Sequence, residues 1–219
     1  MIFENRREAG CQLGLAFIRR GYKNENILVL GIPRGGLVVA DAVAKTLSAS
    51  LDVIVTGKLR APYQPEVGIG AVVDGNHVIL NEELIRAVGA SQDYLNREIA
   101  FQKEESNRRL RSYRGDQPAP EFVGKTVIVV DDGIATGYTF RASLESLRQR
   151  HPDRLVAAAP VASRDSVEML NAFADEIVCL QTPLSFHAVG AWYQNFDHVT
   201  DEEAAAILRR NWSSFRIAA

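Results

Sequence analysis

The stretch from Thr126 to Thr139, TVIVVDDGIATGYT, limits the possible folds more than any other part of the chain. It begins with a β-branched run, which is typical of a strand buried on both faces of a parallel sheet. Asp131 and Asp132 follow at the carboxyl end of this predicted strand, where open α/β sheets place their ligands. The stretch therefore predicts an α/β fold with a ligand site at this strand end.

A small-residue turn, Gly133 to Thr139, comes next and leads into a helical pattern over 140–150. Its free N–H groups and the positive end of a helix dipole suit a phosphate. Acids beside such a turn suit a phosphorylated sugar, because sugar hydroxyls donate to carboxylates while phosphate accepts from amides. The alternatives are that Asp131 and Asp132 merely end a strand, or hold a metal as in a phosphoacceptor domain.

A second strand, turn and helix unit lies near the N-terminus. Ile27 to Leu30 predicts a buried strand, Gly31 to Gly36 (GIPRGG) a turn, and 37–47 a helix. The turn matches neither GxxxxGK[ST] nor GxGxxG, so it does not indicate a nucleoside triphosphatase or a dinucleotide fold. Its glycines would let backbone amides approach an anion, and Arg34 would add positive charge. The alternative is a plain turn with a solvent-facing arginine.

The segment VVDDGIATGYT resembles the phosphoribosyl pyrophosphate (PRPP) motif of the type I phosphoribosyltransferases, and GIPRGG resembles their pyrophosphate loop. The resemblance extends from about Ile27 to Phe196. It is closest to a bacterial subgroup with PRGG, GKL, PEVGIGA and AVGAWY segments. It implies that the PRPP-binding residues are Asp131, Asp132, Gly133, Ala135, Thr136, Gly137 and Thr139, with the acids on the ribose hydroxyls and the turn on the 5′-phosphate.

The implied activity is Mg²⁺-dependent transfer of ribose 5-phosphate from PRPP to a nitrogenous base, with release of pyrophosphate. Asp131 and Asp132 would hold the metal mostly through water and together with PRPP. The resemblance implies pyrophosphate contacts from Arg34, Gly35, Gly36, Lys58 and Arg60. Lys58, Arg34 and Glu66 are the expected catalytic residues, Glu66 through a proton or a base contact.

Residues 58–80 resemble the mobile lid of this family. A strand over Leu51 to Thr56 is predicted to precede it, followed by Lys58 and Arg60, whose alternative interpretation is a solvated basic pair. Gly68 to Val73 and His77 to Leu80 predict a hairpin around an Asp-Gly turn. A lid is needed because water would hydrolyse an exposed oxocarbenium-like intermediate.

Beyond the PRPP motif the pattern continues as two further strands, 154–161 and 176–180, with a helix over 163–174 between them. The alternation predicts one doubly wound parallel α/β domain over 1–219. The remaining helices are predicted over 6–20, from Asn81, over 91–113, and over 201–210 behind a Thr200/Glu203 capping box.

An irregular, aromatic segment over about 181–200 is expected to form a small hood, with N-terminal contributions. Phe186, Trp192 and Tyr193 are the candidate base-binding residues, because their rings suit stacking on a planar base. The alternative is that these aromatic side chains only anchor the segment to the core.

The acceptor base stays open. In the hypoxanthine-guanine branch of the family an aspartate stands three residues after the second acid, and here Ala135 occupies that position. The alternative function is a PRPP-sensing regulator that binds nucleic acid or protein. Its support is a basic cluster: Arg108, Arg109, Arg111 and Arg114. This cluster is otherwise expected to be a solvated helix face, and the alternative is a subunit or phosphate contact. The net charge of −2 argues against a nucleic-acid partner.

Composition gives the remaining expectations. No signal-like core or membrane-length apolar run is present, so a cytoplasmic location and no membrane partner are expected. Cys11 and Cys179 are expected to be buried thiols, and the four histidines lack metal-ligand spacing. A role in nucleotide metabolism and assembly as a homodimer complete the expectations.

Overall fold

The computed structural model describes residues 2–23 and 26–217, and for 214–217 the backbone alone. The expected 1–219 domain thus includes a few positions outside the described residues. Five parallel strands form the main sheet: β1 (Ile27–Gly31), β2 (Ser50–Val53), β6 (Thr126–Val130), β7 (Arg154–Val161) and β8 (Glu176–Gln181), in the order β2-β1-β6-β7-β8. Three antiparallel strands form the second sheet: β3 (Thr56–Ala61), β4 (Gln64–Val73) and β5 (His77–Leu80).

The helices connect these strands and cover the main sheet. They are α1 (Arg6–Arg19), α2 (Gly35–Leu47), α3 (Glu82–Ala87), α4 (Gln92–Arg114), α5 (Tyr138–Arg148), α6 (Arg164–Leu170) and α7 (Asp201–Ile217), with a 3₁₀ turn at Val189–Trp192. Parallel strands with helices on both faces confirm the predicted doubly wound α/β fold.

Alternate residues of the buried strands enter two separate cores. Val29 and Ile128 pack in one core with residues of α1, α2 and α7. Leu28 and Val127 point to the other face and pack with residues of α5 and α6. Both faces are therefore apolar, which explains the uninterrupted β-branched run of β6.

Side-chain caps fix several helix starts where the sequence predicted them. Asn81, Ser91 and Ser163 each accept a hydrogen bond from a backbone N–H in the first turn of their helix. The predicted capping box is confirmed, since Thr200 Oγ1 accepts from Glu203 N at 3.1 Å and Glu203 Oε2 accepts from Thr200 N at 2.8 Å.

The prediction of a single strand over 51–56 is wrong in its second half, because the chain leaves the main sheet after Val53. β2 ends at Val53, and β3 of the second sheet begins at Thr56. Between them, Val55 N donates to Asp74 Oδ1 at 3.0 Å and Asp74 N donates to Val55 O at 2.8 Å. These two bonds draw the chain toward the hairpin turn. Lys58 therefore lies inside a strand of the second sheet.

The second sheet corresponds to the predicted lid and has its own small core. Leu59, Ile69 and Val72 pack against residues of α3 and α4. The hairpin turn is where it was predicted, with φ of 47° at Asp74 and 70° at Gly75, as a tight hairpin turn requires. β4 begins earlier than predicted, so this part of the chain is a three-stranded sheet.

Two composition-based expectations concern the cysteines. Cys11 lies on the outer side of α1 and is exposed, so the prediction of a buried thiol there is wrong. Cys179 is partly buried, and burial raises the pKa of its thiol to about 11. In the described ranges of the chain, no helix is both long and apolar enough to cross a membrane.

Candidate active site

The two predicted ligand loops meet at the carboxyl ends of β1 and β6. A Cβ atom built on Gly35 would lie 2.0 Å from Asp132 Oδ2, and one built on Gly36 would lie 2.7 Å from Asp131 Oδ1. Neither position has room for a larger side chain. The glycines of GIPRGG therefore let its backbone touch the paired acids.

Asp131 and Asp132 differ in their surroundings. Asp131 Oδ1 accepts a hydrogen bond from Asp132 N at 2.8 Å. Burial, followed by the negative charge of Asp132, raises the pKa of Asp131 well above its ordinary value. The side chain of Asp132 is 15% exposed and forms an ion pair with Arg6, whose Nε lies 2.6 Å from Asp132 Oδ2.

Arg6 is a site residue that the sequence did not reveal. Its Nη1 donates to Asp197 O at 2.7 Å, and its Cζ lies 3.7 Å from the centroid of the Phe196 ring. The guanidinium thus joins the first turn of α1 to the hood and to Asp132. No local pattern predicts this, because Arg6 and Asp132 are 126 positions apart in the chain.

The turn after the acids is held from behind by β7 and α6. Ser163 Oγ and Ser166 Oγ each donate to Ala135 O at 2.7 Å. The hydroxyl-bearing residues Thr136 and Thr139 are exposed on the open side of this turn. The arrangement suits an anion, although no local pattern in the sequence revealed the two anchoring serines.

Helix α5 begins directly behind this turn. Gly137 precedes it with φ of 73°, a conformation that costs glycine little. A Cβ atom there would also lie 2.6 Å from Met169 Cε. The first N–H groups of α5 are consequently close to Thr136 and Thr139, as a phosphate site requires.

The pyrophosphate loop borders a cavity of about 530 Å³. The lining residues are Arg6, Pro33, Arg34, Gly35, Arg109, Tyr113, Phe196, Asp197, His198, Val199 and Asp201. Arg34 is exposed, and within the described part of the chain its guanidinium has no ion-pair partner. The peptide bond between Pro33 and Arg34 is cis.

The lid residues predicted to act at this site lie elsewhere in this structure. Lys58 Nζ of β3 donates to the backbone carbonyl of Glu66 in the neighbouring strand β4, at 2.9 Å. The backbone of Arg60 is bound to α4, where Tyr94 Oη donates to Arg60 O at 2.9 Å. None of Lys58, Arg60 and Glu66 lines the cavity. Their roles stay predictions.

The hood contacts the acids through Tyr193. Its hydroxyl donates to Asp132 O at 2.5 Å, and its ring packs on Phe3 and Phe196 at centroid distances of 5.6 Å and 5.1 Å. Burial, with the nearby charge of Asp132, raises the pKa of Tyr193. Only 6% of Tyr193 is exposed, so its ring is covered where a base was expected to stack.

The other predicted base contacts are more accessible. Phe186 and Trp192 are half-buried, and Trp192 Nε1 is buried without a hydrogen-bond partner among the described residues. The N-terminal segment joins the hood as expected, because Phe3 N donates to Trp192 O at 2.8 Å.

Residues 3–194 match the family model "Phosphoribosyl transferase domain". The chain belongs to this family. The match includes both ligand loops and most of the hood, so the resemblance noted from the PRPP motif is confirmed.

Individual relatives agree with this membership of the phosphoribosyl transferase family. Two Mycobacterium tuberculosis proteins, named "Putative phosphoribosyl transferase Rv0571c" and "Putative phosphoribosyl transferase MT0597", are each 38% identical over 217 residues, which is 98% of this chain. The chain spans about half the length of these curated relatives, 48% of each. The solved structure of TT1426 from Thermus thermophilus is 44% identical, with a TM-score of 0.84 over 96% of this chain and 99% of that one.

The acids of this phosphoribosyl transferase domain fit Mg²⁺ only as part of a larger ligand set. Carboxylate oxygens are suitable ligands for a hard cation. Over residues 2–23 and 26–217, however, no group of three or more His, Cys, Asp or Glu side chains could hold a metal. Asp131 and Asp132 would therefore hold the ion together with water and the phosphates of a substrate.

Proposed function

We propose that the protein transfers the ribose 5-phosphate group of PRPP to a nitrogenous base and releases pyrophosphate, with Mg²⁺ as cofactor. The observation that carries the proposal is the contact between the two loops, in which Gly35 and Gly36 touch the carboxylates of Asp132 and Asp131. A single extended ligand could then contact both loops at once, as PRPP requires.

The ribose would lie above the end of β6. Asp131 and Asp132 would accept hydrogen bonds from its 2′ and 3′ hydroxyls. Thr136, Thr139 and the first N–H groups of α5 would donate to the 5′-phosphate. Arg6 already donates to Asp132 Oδ2, which leaves Oδ1 of that carboxylate to accept from the sugar.

The pyrophosphate would lie against Arg34, Gly35 and Gly36, where positive charge favours its departure. Mg²⁺ would neutralise part of the charge on the leaving group. C1′ then gains oxocarbenium character, and the base attacks from the opposite face with inversion. Lys58, Arg60 and Glu66 would act from the lid, which would also exclude water.

The base would bind under the hood near Phe186 and Trp192. We assign Tyr193 to holding the Asp132 carbonyl, in place of its predicted base contact. Ala135 leaves the acceptor open, since its methyl group can neither donate to nor accept from a base.

The regulator alternative gains little from the basic cluster of α4. Arg108 and Arg109 both pair with Glu105, and Arg114 pairs with Asp52. The cluster is therefore not an unbroken basic face of the kind that binds a nucleic-acid backbone. A homodimer, a cytoplasmic location and a single domain over 1–219 remain predictions that accompany the proposal.

The proposal is tested by replacing Asp132 with Asn. Purified protein is incubated with PRPP, Mg²⁺ and a panel of purines, pyrimidines and other nitrogen heterocycles, and pyrophosphate release is measured. We expect release that depends on one class of base. Asp132→Asn should lower it at least about 100-fold, since the substitution removes the carboxylate charge that would face the ribose hydroxyls.

The matched control is Asp116→Asn, an exposed aspartate in the loop after α4. It should retain full activity. Pyrophosphate release by the unaltered protein that does not depend on the added base would refute the proposed reaction. Full activity of Asp132→Asn would refute it as well. Salt-dependent binding of RNA or DNA without turnover would favour the regulator.

A further inference from the structure

Helix α4 forms a wall of the cavity at the pyrophosphate loop. Arg109 and Tyr113 lie one helical turn apart and line the same cavity as Pro33, Arg34 and Gly35. The sequence predicted a solvated face for this part of α4. Arg109 is exposed, as that prediction requires, and its side chain also lines the cavity beside the GIPRGG turn.

The charge around Arg109 is not balanced by its nearest acid. Arg109 Nε donates to Glu105 Oε1 at 3.0 Å. Glu105 also accepts two hydrogen bonds from Arg108, each 2.8 Å long. One carboxylate thus faces two guanidiniums, and the group of three keeps a net positive charge.

Arg109 and Arg34 line the same cavity, and Tyr113 lines it with them. Burial and a hydrogen bond to Asp201 raise the pKa of Tyr113, while the positive charges of Arg109 and Arg34 lower it. Arg6, the third arginine of the cavity, is already paired with Asp132.

We propose that Arg109 binds the pyrophosphate group together with Arg34. This assignment rests on the proposed function and adds a helix residue to a subsite otherwise formed by the loop and the lid. A diphosphate carries more negative charge than one guanidinium can offset. In this structure Lys58 donates to Glu66 O and does not line the cavity, whereas Arg109 lines it beside Arg34.

The acidic side chains of the cavity should make pyrophosphate binding sensitive to the loss of one arginine. Asp197 and Asp201 also line it, and Asp201 accepts from Tyr113. They limit the net positive charge, so loss of one guanidinium should weaken binding of a diphosphate markedly. The affinity for a ligand bound at the turn before α5 should not change, because that turn does not line the cavity.

The test is calorimetric titration of the full chain with pyrophosphate and, separately, with ribose 5-phosphate, both in excess MgCl₂. The variants are Arg109→Ala, Arg109→Lys and Arg108→Ala. The last is a matched control, because it removes a guanidinium from the same Glu105 without touching the cavity lining.

We expect the Kd for pyrophosphate to rise about tenfold in Arg109→Ala and about threefold in Arg109→Lys, as for the loss of one charged hydrogen-bond donor. In Arg108→Ala the Kd for pyrophosphate should change by less than about threefold. The Kd for ribose 5-phosphate should be unchanged in all variants. Equal pyrophosphate affinity in Arg109→Ala and Arg108→Ala would overturn the Arg109 assignment alone. An unaltered protein that binds neither ligand would overturn the proposed function, and this assignment with it.

Discussion

The Tyr193 hydroxyl shows how a single side chain can hold the backbone beside the paired acids. It donates to the backbone carbonyl of Asp132, and its ring is fixed between Phe3 and Phe196. The backbone of Asp132 is therefore tied to the hood. Tyr193 is a positioning residue in this arrangement.

Tyr193→Phe removes this hydrogen bond and leaves the Asp132 carbonyl without its buried donor. We expect the free energy of unfolding to fall by about 1 kcal/mol and the Kd for PRPP to rise about fivefold, because Asp132 loses its support. Urea unfolding and calorimetric titration measure the two effects.

The matched control is Tyr22→Phe, which removes a tyrosine to Glu176 hydrogen bond of 2.5 Å. Glu176 begins β8, at the opposite end of the sheet from the acids. Tyr22→Phe should lower stability by a similar amount and leave the Kd for PRPP unchanged. A similar loss of affinity in both variants would show that Tyr193 acts through stability alone.

At this scale the sequence predicted the residues that are local to the two loops. Asp131, Asp132, Gly35 and Gly36 each belong to a short strand, turn and helix signal, and the structure brings the four residues together. Arg6 and the contact of Tyr193 could not be predicted, since both depend on packing between distant parts of the chain.

At the scale of the elements, Asp175, which directly precedes β8, joins helix α5 to strand β7. Its carboxylate accepts from Arg148 of α5 at 2.9 Å and 3.0 Å and from Leu155 N of β7 at 2.7 Å. The hydrogen bonds from Arg148 hold the pKa of Asp175 below its ordinary value.

The stability contributed by Asp175 should depend on pH. An aspartate has a pKa of about 3.9 in an unfolded chain, and the folded value here is lower. The unfolded chain then binds the proton more readily, so the contribution is present above about pH 4 and is lost as pH falls through the folded pKa. Asp175→Asn should cost about 0.5–1 kcal/mol at pH 7, because the ion pair is partly exposed.

Urea unfolding at pH 7 and at about pH 3 tests this expectation. The difference between the unaltered protein and Asp175→Asn should shrink at the lower pH. Asp153→Asn is the control, since that side chain is exposed and has no ion pair in the described structure. A difference that stays constant with pH would contradict the assignment.

Most elements were predictable because their ends carry local signals, such as Ser91 before α4 and the Asp-Gly turn between β4 and β5. The boundary between β2 and β3 could not be predicted from the sequence. It is set by the bonds between Val55 and Asp74, which are 19 positions apart. A run of strand-forming residues cannot by itself reveal where the chain passes from one sheet to another.

At the scale of the whole molecule, a buried ion pair connects α4, which covers the lid sheet, to the main sheet. Arg114 Nε lies 3.1 Å from Asp52 Oδ1, and Arg114 Nη2 donates to Val53 O at 3.2 Å. The two side chains are 11% and 7% exposed, so removal of one partner leaves a buried charge without compensation.

Arg114→Leu should therefore lower the free energy of unfolding by about 3 kcal/mol. Arg111→Leu, on an exposed position of the same helix, should change it by less than about 0.5 kcal/mol. Thermal and urea unfolding of both variants make the comparison. Equal free energies of unfolding for the two variants would mean that Arg114 does not hold α4 to the main sheet. The sequence predicted the basic cluster but not this difference within it, because Asp52 lies 62 positions away.

The contact of Gly35 with Asp132 also limits how the protein can be engineered. A side chain at position 35 would collide with the carboxylate, whatever base is to be accepted. A mutant library that seeks a new acceptor should therefore keep Gly35 unchanged. It should vary exposed hood positions such as Leu184, His187 and Ala191, where substitutions need not displace the paired acids.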